Sequence, residues 1–106
     1  MKIPDSIRIG GVEYAVQNSC PSLNDGENLL YGQIDYRESI IRISDLCEGH
    51  QLKCITLLHE ILHGIRNHAG LDVENEEAVV DMFARGLYQV LQDNGRRLFD
   101  LKENPC

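Results

Sequence analysis

Apolar and polar positions change period near residue 45 of this chain. Before that point they tend to alternate, as one face of a strand requires; after it they recur every three or four residues, as one face of a helix requires. Residues 6–9 and 12–17 alternate around Gly10-Gly11, a two-residue hairpin signal. Residues 18–28, with Pro21, Asn24, Asp25 and Gly26, read as a polar loop. Two further strands are expected over residues 30–35 and 39–43, joined by a turn at Tyr36 and Arg37.

The second half predicts two long helices. The first begins near residue 51 with an apolar stripe centred on Leu58, Leu62 and Ile65, and Gly70 suits the left-handed position just past its end. The second runs from Asp72, as N-cap, to about Gln92, with Asn94-Gly95 as stop signal. Its stripe of Val79, Val80, Phe83, Leu87, Val90 and Leu91 is expected to pack against the rest of the domain. The fold class that follows is α+β: a small N-terminal antiparallel sheet of three or four strands packed on two long helices. A chain of 106 residues buries one modest core, so residues 1–106 are read as a single domain. It is strand-rich over 1–45, helical over 51–94, and ends in a polar tail over 95–106.

Candidate chemistry sits in the first helix, where Leu57-Leu58-His59-Glu60-Ile61-Leu62-His63 places His-Glu-x-x-His in an apolar run. Positions i and i+4 lie one above the other on a helix, so His59 and His63 can aim both imidazoles at one metal ion. Glu60 then stands beside the metal as a general base for an attacking water. Two histidines do not complete a catalytic zinc site. Glu77 is the candidate third ligand, with Glu76 as the alternative, and Asp81 one turn later is placed to accept a hydrogen bond from a ligating imidazole. Tyr88 and His68 are the candidate oxyanion donors. The metzincin pattern is not met, because Ala69 stands where its third histidine is required.

Taken with Glu77-Ala-Val-Val-Asp81-Met-Phe83-Ala84 and Gly86-Leu87-Tyr88-Gln89-Val90-Leu91, this segment resembles gluzincin-type metallopeptidases. In particular it is similar to small phage- and mobile-element-encoded proteins grouped with the ImmA/IrrE-like metallopeptidases. Ile7-Arg-Ile-Gly-Gly-Val-Glu-Tyr14 and Gly32-Gln-Ile-Asp-Tyr36 extend the likeness into the first half. The resemblance implies a minimal zincin-like domain, Zn2+ held by His59, His63 and Glu77, Glu60 as catalytic base, and a peptide or protein substrate.

Charge and cysteine usage narrow the alternatives. A net charge of −7 with scattered arginines argues against a nucleic-acid-binding surface. No apolar run approaches the ~20 residues of a membrane span and the N-terminus lacks the apolar stretch of a signal peptide, so a cytoplasmic protein is expected. Cys20, Cys47, Cys54 and Cys106 show no Cys-x-x-Cys spacing. Cys54 reads as a small core residue, and Cys106 as a possible thiol blocking a metal site. Two other readings remain at this point: a zinc-stabilised, non-catalytic binding or regulatory module, and a metal-free interaction protein.

Overall fold

Gly10 and Gly11 adopt φ of 57° and 83°, and the chain reverses between them. Two consecutive positive φ angles make the tight turn whose twist matches a right-handed β-ribbon. It joins β1 (Ser6–Ile9) to β2 (Val12–Cys20), with Ile9 opposite Val12. The computed structural model describes residues 2–21 and 23–99. After β2 come a miniature hairpin of β3 (Asn24–Asp25) and β4 (Asn28–Leu29), then β5 (Gly32–Asp35) and β6 (Ile40–Ser44). Helices α1 (His50–Ala69) and α2 (Glu76–Asn94) follow, with a short α3 (Arg96–Phe99). The architecture is α+β, a four-stranded sheet with two long helices, as the pattern predicts.

The sheet order is β1-β2-β6-β5. β1/β2 and β5/β6 are antiparallel, but β2 and β6 run parallel, which corrects the expectation of a wholly antiparallel sheet. The apolar content of β6 explains the difference. Ile41 and Ile43 have no exposed surface, and an interior position covers them on both sides. Seating β6 inside leaves β5 as an edge strand.

α1 lies on the sheet and α2 lies on α1. Leu57 joins Ile9, Tyr14, Ile41 and Ile43 in one cluster, whereas Cys54, Ile55 and Leu58 form a second with Ala84 and Tyr88. Contact with the sheet is close at Gly64, where an added Cβ would lie 2.9 Å from Ile9 Cδ1. The buried part of α1 is thus wider than the stripe expected at Leu58, Leu62 and Ile65. It reaches Glu60 and Gly64, and Ile65 is exposed. Cys54 is a core residue as expected.

Gly70 closes α1 in the left-handed conformation, its N–H donating to the Arg66 and Asn67 carbonyls, as predicted. The start of α2 differs from expectation. Its N-cap is Asn75 rather than Asp72, in a left-handed conformation with φ 55°, which leaves residues 71–74 to span the turn. The face that α2 buries also differs: Val80, Ala84 and Tyr88 pack inward, while Phe83, Leu87 and Val90 face outward. The expected loop over 18–28 contains the end of β2 and the β3/β4 hairpin, and the polar tail contains α3. Residues 100–106, including Cys106, lie outside the described residues. Among the described residues no helix is long and apolar enough to cross a membrane.

Candidate metal centre

His59 and His63 project from α1 toward the N-terminal end of α2, and the small Ala84 at the helix contact lets the two helices lie close. The carboxylate of Glu77 straddles the two rings: Oε1 is 2.7 Å from His59 Nε2, and Oε2 is 3.0 Å from His63 Nε2. The two Nε2 atoms are 3.1 Å apart. Tetrahedral donors around a small divalent metal sit about 3.3 Å from one another when each bond is about 2.0–2.1 Å. His59, His63 and Glu77 could therefore hold a metal ion with little rearrangement. Both histidines are mostly buried, while Glu77 is exposed and leaves one side of the group open.

The tautomers suit that use. Glu76 Oε2 is 2.6 Å from His63 Nδ1, and its other oxygen pairs with Arg66 Nε at 2.8 Å. A proton held on Nδ1 by this carboxylate leaves the Nε2 lone pair free for a metal. The His63 hydrogen bond and the Arg66 contact hold the Glu76 carboxyl below its usual pKa, so it stays an acceptor. Glu76, the alternative third ligand from the sequence, is thus placed behind His63, outside the group of converging donors. Asp81, expected in that supporting role, lies 3.6 Å from His59 Nδ1 and accepts from Arg85 Nε at 3.0 Å. That separation exceeds a hydrogen bond, so His59 is held less firmly than His63.

Glu60 is only 7% exposed. Burial and the nearby Glu77 carboxylate raise its pKa to about 7, against an opposing pull from His63. A carboxyl group with that pKa gains and loses a proton near neutrality. Gly32 on β5 makes room for it. A Cβ there would lie 2.5 Å from Thr56 Cγ2 and 3.1 Å from Glu60 Oε2.

A cleft of about 380 Å³ opens beside the group. Leu29, Leu30, Tyr31 and Gly32 form one wall, Leu52, Ile55 and Thr56 line the α1 side, and Glu77, Asp81 and Arg85 the α2 side. Of the sequence-selected residues, His59, Glu60, Glu77 and Asp81 line this cleft, and His63 adjoins it through His59 and Glu77. Tyr88 packs between the helices in the core, and His68 lies over the β1/β2 turn, where a Cβ on Gly10 would collide with its ring. Neither lines the cleft. Tyr31 and Arg85, which do, carry no sequence motif; only proximity to Glu60 and Glu77 picks them out. Comparison of the chain with protein-family models, with curated proteins and with solved structures finds no match.

Proposed function

We propose that this chain is a zinc-dependent metallopeptidase of the gluzincin type, acting on a peptide or protein in extended conformation. The observation that carries the reading is the convergence of His59, His63 and Glu77 beside a buried Glu60 at the wall of an open cleft. When bound, the zinc supplies Lewis acidity that activates a water and polarises the scissile carbonyl. Glu60 takes a proton from the attacking water and gives it to the departing amine nitrogen as the C–N bond breaks. Without metal its pKa is about 7, and a bound cation beside it would lower that value, favouring the carboxylate that accepts the proton of the water. Glu76 and Arg66 hold the His63 ring in one orientation.

β5 is one of the two edge strands of the sheet, and its Gly32 borders the cleft. A substrate backbone pairing with that edge runs past Glu60, while Tyr31 and Arg85 are the donors available to a carbonyl oxygen. The alternative is a non-catalytic module in which zinc only ties α1 to α2. Structural zinc is normally enclosed by four protein ligands, whereas three donors facing a cleft leave a position open. The open arrangement favours catalysis.

The test combines metal content with turnover. Untagged protein prepared without chelator should bind about one zinc per chain, and His59→Ala or Glu77→Ala should remove most of it. Glu60→Gln should retain the metal and lose hydrolysis of an unstructured protein substrate by at least about a hundredfold. No zinc bound after addition of excess metal refutes the site. Turnover retained by Glu60→Gln refutes the assigned base.

A further inference from the structure

A second feature lies on the other side of α2. Ile65, Met82 and Phe83 are 51%, 59% and 56% exposed, and Leu87 and Val90 beside them are also open to solvent. These side chains border two shallow grooves that share Leu62 and Phe83, so the patch is continuous. Its apolar surface is on the order of 500 Å², toward the upper end of what a monomer exposes. Two such faces closed on one another bury about 1,000 Å² before their polar rims are added, close to the lower bound for a specific interface.

The shape of the patch points to a helix as its complement. Val79, Phe83 and Leu87 form one i,i+4 ridge, and Met82, Gly86 and Val90 form a second beside it. Gly86 interrupts the second ridge at its midpoint. Glycine weakens a helix interior, and among the described residues nothing requires it here: a Cβ on Gly86 meets none of their atoms within 4 Å. The notch fits a side chain from outside the chain. Charge then selects the direction of approach. Glu74, exposed just before α2 and outside the metal centre, and the exposed Arg96 and Arg97 just after it carry opposite charges at the two ends of the helix. An antiparallel copy crossing midway between Phe83 and Gly86 sets Glu74 of each chain toward the arginines of the other.

We propose that this face is the interface of a two-fold symmetric homodimer, in which α2 of a second copy crosses antiparallel midway between Phe83 and Gly86, so that the Phe83 of each copy fills the notch of the other. Such an interface is isologous and closes on itself. Glu77 and Asp81 lie on the opposite flank of α2, so the cleft stays open in the dimer.

Sedimentation velocity of the full chain across the micromolar range tests this. The expected result is a monomer–dimer equilibrium. Gly86→Gln and Phe83→Glu should each weaken it at least about tenfold, with the helical circular dichroism and zinc content of the monomer unchanged. Both positions are exposed, so loss of the dimer is separable from loss of the fold. Arg96→Glu with Arg97→Glu should also weaken association, and adding Glu74→Lys should restore it. A monomer at every concentration, assembly beyond a dimer, or a dimer that survives both Gly86→Gln and Phe83→Glu overturns the proposal.

Discussion

The two long faces of α2 differ in a way that hydrophobicity alone would reverse. The outward face carries Val79, Met82, Phe83, Leu87 and Val90, whereas the inward face carries Val80, Ala84 and Tyr88 together with Glu77 and Asp81. The less apolar face is the one packed on α1. Small size at Ala84 explains part of this, because close packing rewards shape fit as well as apolar area. The remainder comes from α1, whose His63 at the same interface offers a partner to the part-buried carboxylate of Glu76. A helix can therefore present a polar site inward and keep its more apolar stripe for another surface.

The largest effect expected from perturbing the inward side belongs to Glu60. Its pKa in the fold is about 7 against an ordinary 4.5, so the native state favours the protonated form. For the metal-free protein that contribution to stability is fully present below about pH 4.5 and is lost as pH rises through about 7; the shift corresponds to about 3 kcal/mol. Denaturant unfolding at a series of pH values should show this decline in the wild-type chain, superposed on other titrations. Glu60→Gln should remove it. Equal slopes in the two proteins would mean that the carboxyl is better solvated than its burial indicates.

Next in size is the difference between the two histidine supports. Glu76→Gln should weaken zinc binding about tenfold to a hundredfold, because it loses the charge that holds the His63 Nδ1 proton. Asp81→Asn should cost clearly less, since its oxygen stands 3.6 Å from His59 Nδ1. Competition with a chelator gives both affinities, and the reverse order would show that His59 is the better-held ring.

The smallest effects compare the two faces directly. Ala84→Leu has no room between the helices and should destabilise by about 1–3 kcal/mol. Gly86→Ala, two residues away and open to solvent, should stabilise the dilute monomer by up to about 1 kcal/mol through helix propensity. Thermal melts at low concentration measure both. If the two substitutions act in the same direction, the faces are not as distinct as the packing indicates.

Much of the candidate site was legible because it is local. The i,i+4 spacing puts His59 and His63 on one face of any helix that contains them, and the same helical period pairs Glu77 with Asp81. Strand positions near the Gly10-Gly11 turn were legible for a similar reason, since a two-residue turn dictates its own register. Less was readable where a choice depended on a distant element. The sequence left Glu76 and Glu77 as alternatives, and they separate only when α2 is set against α1 and one carboxylate reaches Nε2 while its neighbour reaches Nδ1 of His63. Tyr31, Gly32 and Arg85 carry no local pattern at all.

By itself, then, the amino-acid order determined the periods, the hairpin, the α+β class and the two imidazoles on one helical turn, because each depends on residues within a few positions of one another. Tertiary structure decided the parallel pairing of β2 with β6, the placement of Glu77 rather than Glu76 beside the two Nε2 atoms, and which face of α2 turns inward. Those outcomes rest on shape, approach distance and the supply of hydrogen-bond partners between elements far apart in the chain, which apolar periodicity does not encode.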